Sequence, residues 1–224
     1  MKAEIISFTD HGAVLAQRLT EGLSRQGICC EAWVKKKDAV LLEGVQVLTA
    51  SLKEWTKKQF AEADALIFIG AAGIAVRSIA AFVQSKKTDP AVLVADEQGK
   101  HVISLLSGHI GGANAMTRLA AGILGADPVI TTATDLHGKF AVDVFAARRG
   151  LFMDSMAYAR EIAAELVAGR RVGMRSAWPV FGPVPEELDR EGVPLAGFAV
   201  DIRAVQPFAH TLHLVPRITV LGIG

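Results

Sequence analysis

Apolar and polar positions along the first two thirds of the chain alternate between two periods. Short, nearly unbroken apolar runs read as strands, and stretches where apolar residues return every third or fourth place read as helices. Residues 3–8 form the first strand. Leu15, Leu19 and Leu23 line one face of a helix over 12–26, which Gly27 stops. A strand over 28–34 and a weak segment lead to a helix over 52–62. Asp64 opens the strand 65–69, whose lack of alternation indicates burial on both faces. That strand enters Gly70-Ala71-Ala72-Gly73 and a helix over 74–83. Strands over 92–95 and 102–106 flank Asp96-Glu97-Gln98-Gly99, a hairpin-turn composition. The second of them runs into Ser107-Gly108-His109-Ile110-Gly111-Gly112. A helix starts near Gly112, with Met116, Leu119, Ala120 and Ile123 on its apolar face. A short strand, 128–130, feeds Thr131-Thr132-Ala133-Thr134-Asp135.

The pattern then changes. Helices over 140–149 and 154–168 end at Gly150 and Gly169, and a strand over 171–175 gives way to a stretch carrying Pro179, Pro183, Pro185 and Pro194. Further strands are expected near 197–203, 211–215 and 218–223. The sequence therefore predicts an α/β fold: a doubly wound, three-layer, Rossmann-like domain with a mixed sheet over 1–143, then a small α+β module over 144–219. Residues 220–224 read as a strand entering a glycine turn, so the chain stops inside a motif and is expected to be a truncated fragment.

Composition narrows the function. With 224 residues, 51% of them hydrophobic and 21% charged, a substantial core can form. A formal net charge of +1 argues against a dedicated nucleic-acid surface, and the one basic run, Lys35-Lys36-Lys37, lacks interleaved aromatics. The two cysteines, Cys29 and Cys30, are neighbours, so neither a disulfide framework nor a metal-ligand spacing exists and no metal site is expected. No signal peptide is seen, and the apolar run 65–76 is too short to span a bilayer. The expectation is a cytoplasmic protein with no membrane and no nucleic-acid partner.

The strand–glycine–helix corner at Ser107 is the place for chemistry. Its glycines let backbone approach a ligand, the helix's first N–H groups favour an anion or oxyanion, and His109 titrates near neutrality. Ser107, Gly108, Gly111, Gly112 and Asn114 are the binding candidates there, although Ser107 could equally satisfy local backbone donors and His109 could be structural. The site is expected over the strand C-termini, where Gly70, Gly73 and the hydroxyls of Thr132 and Thr134 would gather too. Arg77, the one charge on its helix, must reach solvent, a carboxylate or a ligand. Glu97 and Asp135 are the alternative acid–base groups, with turn and capping roles as the plainer readings. Asp10 is an N-cap candidate.

Gly70 to Arg77, Thr88-Asp89-Pro90-Ala91-Val92, Asp96-Glu97-x-Gly99, Ser104 to Asn114 and Pro128 to Asp135 occur here in one order. Together they resemble the cobalamin-biosynthesis CbiG family, the cobalt-precorrin-5A hydrolases. The likeness is dense over 64–143, thinner over 1–59, and loose over 151–219, and residues 220–224 resemble the start of the family's C-terminal domain, truncated here, which implies a chain that binds its tetrapyrrole and turns it over poorly or not at all. It implies an enzyme that opens the ring A δ-lactone of a cobalt-bearing tetrapyrrole and expels acetaldehyde to give cobalt-precorrin-5B, the cobalt arriving in the substrate with no separate cofactor. His109 would activate water, the Gly111 and Gly112 N–H groups would hold the oxyanion, and Arg77, Lys86, Lys87 and Arg118 would meet substrate carboxylates. Other enzymes of the pathway are conceivable partners. A non-catalytic corrinoid-binding module and a sugar-phosphate or nucleotide enzyme are the competing readings.

Overall fold

The computed structural model describes residues 1–40, 42–85, 88–109 and 111–217. It divides into two compact units, residues 1–131 and 132–224, each described here by itself.

The first unit is a seven-stranded sheet in the order β3-β2-β1-β4-β5-β6-β7. In chain order its elements are β1 (Lys2–Ser7), α1 (Asp10–Ser24), β2 (Cys29–Val34), β3 (Val45–Val47), α2 (Leu52–Glu62), β4 (Ala65–Ile69), α3 (Ala72–Ile79), β5 (Ala91–Ala95), β6 (His101–Leu106), α4 (Ala113–Leu124) and β7 (Asp127–Val129). β4 and β5 are buried at every position, as their unbroken apolar runs require. Alternation divides their side chains between two cores. Ile5, Ile67, Ile69 and Leu93 meet Leu15, Leu19 and Leu23 of α1 and Met116 and Ala120 of α4 on one face. Ile6, Leu66, Phe68, Val92 and Val94 meet Trp55 and Phe60 of α2 and Ala75 and Ile79 of α3 on the other. Three layers result, α1 and α4 over one face and α2 and α3 over the other.

Strand direction decides what can share a site. β2, β1, β4 and β5 run parallel. The Asp96–Gly99 hairpin then reverses the chain, so β6 lies antiparallel to β5 with Leu106 opposite Val92 and Val102 opposite Ala95. β7 runs parallel to β6. The end of β6 therefore lies at the edge where β4 and β5 begin. The ends of β1 and β4 lie at the other edge, across strands of five residues, roughly 15 Å.

The second unit contains α5 (Ala133–Leu136), α6 (Val142–Arg148), β8 (Phe152–Met153), α7 (Met156–Val167), β9 (Val172–Ser176), β10 (Leu188–Asp189), β11 (Ala196–Val200) and β12 (His210–Val215). Its sheet has the order β10-β9-β11-β12-β8, parallel except where β8 meets β12. Phe198 is fully buried there and stacks on Phe140, ring centroids 5.6 Å apart. Phe208 lies over two paired glycines, Gly173 and Gly197, where any Cβ would strike its ring. Residues 132–143 side with this unit rather than with the first: Val142 and Ala146 belong to its core, and the Phe140 N–H donates to Glu187. The expected strand over 218–223 and the segment 220–224 lie outside the described residues.

Candidate functional site

The corner that ends β6 is folded on itself. Ser107 has φ +59°, the one left-handed non-glycine residue among those described. That conformation costs an L-residue about 1–2 kcal/mol. It turns the chain sharply out of the strand, so that the Ser107 carbonyl accepts from Ala113 N–H (3.1 Å) and the Gly108 carbonyl from Asn114 N–H (3.0 Å). Gly111 is required here: a Cβ would stand 2.4 Å from the Ser107 Cβ and 2.9 Å from its carbonyl oxygen. Gly112 is the N-cap of α4 with φ +81°, which suits glycine.

The Ser107 hydroxyl oxygen is buried and has no hydrogen-bond partner among the described residues. A strained backbone holding an unpaired buried hydroxyl is expensive on both counts, which is the pattern expected of a functional rather than a connecting corner. Asn114, buried, accepts from the Ser104 hydroxyl at 2.7 Å, and its side chain fills the space where a Cβ on Gly108 would go. His109 and Gly111 are partly exposed, and Arg118 is exposed one turn beyond Asn114.

One part of the expected oxyanion site is corrected. The Gly112 N–H donates to the His109 carbonyl at 3.0 Å, and the next two N–H groups of α4 go to Ser107 and Gly108. The loop's own carbonyls consume the helix's first donors, so the Gly112 N–H is not free to meet an oxyanion.

A larger correction concerns convergence. Gly70, Gly73 and Glu97 follow the ends of β4 and β5, at the sheet edge opposite Ser107 and His109. Arg77 is carried by α3, over the face opposite α4. Arg77 is exposed, its Nη1 donating to the Gly73 carbonyl at 3.3 Å, and it flanks a shallow 540 Å³ groove with Lys53. Its charge is satisfied by solvent and its own helix, not by a place beside His109. Glu97 is an exposed turn residue whose carbonyl meets the His11 ring at 2.6 Å. These four residues form no common site with the Ser107 corner.

At the N-terminus of α1, where the first helix of a doubly wound sheet meets a phosphate, the protein places a carboxylate of its own, Asp10. Thr9, not Asp10, caps α1 by accepting from Gly12 N–H. Asp10 instead pairs with Lys36 and accepts from Val40 N–H, and the Lys36 bond holds its carboxyl below the usual aspartate range. A carboxylate there repels the phosphate that a helix N-terminus would otherwise attract.

Asp89 was not singled out by sequence reasoning. It is buried at the start of β5, on the Ser107 edge, and accepts from the Gln84 and Ser85 N–H groups at 3.0 Å. An Asp two residues before a strand looks like an ordinary turn, and nothing local distinguishes it. Lys86 and Lys87, in the same loop, lie outside the described residues, as does Ile110. Thr132, Thr134 and Asp135 belong to the second unit. There the Thr132 hydroxyl donates to Asp135 at 2.7 Å, Thr132 is the N-cap of α5, and Thr134 is buried.

Residues 54–135, which contain the whole Ser107 corner, match the family described as Cobalamin synthesis G N-terminal. The chain is 39% identical to the cobalt-precorrin-5A hydrolase of Salmonella typhimurium, over 98% of its own length and 64% of the relative's. It is 35% identical to that of Priestia megaterium, over 82% of its length and 50% of the relative's. The chain is similar to the CbiG family over most of its length. The match to the Salmonella relative continues through the second unit, where the sequence alone showed only a loose likeness. A cobalamin biosynthesis protein G homologue from Sulfolobus solfataricus shares the fold of this chain, with a TM-score of 0.58 at 21% identity, covering 96% of this chain and 60% of that one. The chain thus spans between half and two thirds of its relatives' lengths.

Among the described residues no three His, Cys, Asp or Glu side chains are grouped as a metal set would be, and no helix is long and apolar enough to cross a membrane.

Proposed function

We propose that this chain acts on cobalt-precorrin-5A as a hydrolase, opening the ring A δ-lactone and releasing acetaldehyde to leave cobalt-precorrin-5B. The observation that carries the reading is the Ser107 corner: a strained, self-bonded turn with an unpaired buried hydroxyl, inside the segment that matches the family. His109 on this turn takes a proton from water and returns it as imidazolium to the departing group. The Gly111 N–H meets the tetrahedral oxyanion, and Arg118, exposed on α4, meets a substrate carboxylate. Asn114, held by Ser104, fixes the turn. The cobalt enters with the substrate, no separate cofactor takes part, and the reaction belongs in the cytoplasm beside the other enzymes of the pathway.

The Asp10 carboxylate at the N-terminus of α1, paired with Lys36, speaks against the sugar-phosphate reading. Incubating the chain with cobalt-precorrin-5A, trapping released acetaldehyde and reading the product mass tests the proposal. Formation of cobalt-precorrin-5B with acetaldehyde supports it. Tight binding of unchanged substrate would make the chain a corrinoid-binding module instead.

A further inference from the structure

The second unit contains a pocket of 570 Å³ that the reaction above leaves unused. Its floor includes Ser176 and Val200, the last residues of the parallel neighbours β9 and β11. β10 lies on the far side of β9 from β11, so the strand order reverses at β9. Ligands of open α/β sheets bind outside the carboxyl ends of the strands at such a reversal.

The walls are flat and apolar. Phe145, Trp178, Pro179, Phe181 and Pro216 line them, with Phe181 89% and Trp178 43% exposed. Side chains of this size left in water gain by being covered, and several together mark a binding surface rather than chance exposure. The backbone that carries the tryptophan is held in place. Ser176 Oγ accepts from the Trp178 N–H at 3.1 Å and donates to its carbonyl at 2.8 Å. Among the described residues lining the pocket Arg149 is the one charged group, its guanidinium 4.3 Å above the Phe145 ring. A cation stacked on an aromatic wall, with no carboxylate among the described residues lining the pocket, suits a planar apolar ligand that carries carboxylates on its periphery.

We propose that this pocket binds the rim of the carboxylate-bearing corrinoid macrocycle, with Trp178 and Phe181 against its face and Arg149 on a peripheral carboxylate. The identity of the ring rests on the hydrolase reading; the planar and anionic character of the ligand rests on the pocket alone.

Calorimetric titration of the intact chain with two probes tests this: dicyano-cobyrinate, which has free carboxylates, and dicyano-cobinamide, the same ring with amides. Phe181→Ala trims an exposed side chain, so the fold is kept. It and Trp178→Ala each weaken cobyrinate binding about tenfold. Arg149→Met weakens cobyrinate by at least about tenfold and leaves cobinamide unchanged. Wild-type affinity in all three variants overturns the inference while leaving the hydrolase reading standing. Failure of the wild-type chain to bind cobyrinate overturns it as well, whatever the acetaldehyde assay shows. Binding lost in the variants, in a chain that releases no acetaldehyde, supports the pocket and removes the hydrolase reading.

Discussion

Ser107→Gly should make the first unit more stable and less active. The wild-type residue sits at φ +59°, where a side chain costs about 1–2 kcal/mol and glycine nothing. Its hydroxyl is buried without a partner, an unpaired group worth about 1–3 kcal/mol of lost solvation. Against these gains stands the extra freedom of glycine in the unfolded chain, about 0.5–1 kcal/mol. The net expectation is a gain of about 1–4 kcal/mol. Ser107→Ala removes the hydroxyl but keeps a Cβ in the left-handed region, so it gains less. The assay is urea unfolding followed by tryptophan emission in a Trp178→Phe background, which confines the signal to Trp33 and Trp55 of the first unit. A stabilised but slow Ser107→Gly would show a residue kept for function at the expense of stability. A variant less stable than wild type by more than about 1 kcal/mol would mean that the serine supports the turn, and the strain argument would fail.

Gly111→Ala forces a Cβ to 2.4 Å from the Ser107 Cβ, and the same unfolding assay should show a loss of about 1–3 kcal/mol; an unchanged midpoint would mean the corner opens freely. Asp96 is pushed up by burial but pulled further down by the N–H groups of His101, Gln98 and Lys100, so its folded value is below the ordinary one. Its stabilisation is full above the unfolded pKa, about 3.9, and is lost as pH falls through the lower folded value. Asp96→Asn should therefore flatten the acid side of a plot of urea midpoint against pH, and an unaltered slope between pH 5 and 2 (roughly that window) would refute it. Arg77→Ala, on α3 over the sheet face opposite α4, should leave the affinity for cobalt-precorrin-5A within about twofold of wild type by calorimetry, well under one charge-assisted hydrogen bond; a tenfold loss would restore Arg77 to the site.

Much of the fold was legible because periodicity is local. α2 and β4 take the residues their patterns indicate, and the apolar runs of β4 and β5 foretold a sheet covered on both faces. β8 and β10, of two residues each, and β3, of three, are too short to carry a period. The site was legible only in part. The corners at Gly70 and Ser107 look alike as strand–glycine–helix sequences, yet one hairpin sends β6 the other way and parts them by the length of the sheet. The turn residues announced the reversal, but its consequence for convergence is a property of the whole sheet. The left-handed Ser107 and its orphan hydroxyl leave no mark in the sequence, since serine is common at such turns for plainer reasons. Trp178, Pro179 and Phe181 read as part of a proline-rich stretch, because the pocket they line is completed by α6 and the end of β11.

The most direct test of the whole account is single-turnover release of acetaldehyde from cobalt-precorrin-5A, with the chain in excess over substrate, for wild type against His109→Ala. Excess protein makes even slow chemistry visible, and circular dichroism confirms that both proteins are folded. Removing a general base typically costs roughly 10²–10⁴-fold in rate. The account predicts release by wild type and a fall of at least about 100-fold in the variant, with substrate binding retained. A folded His109→Ala that releases acetaldehyde at the wild-type rate would contradict it.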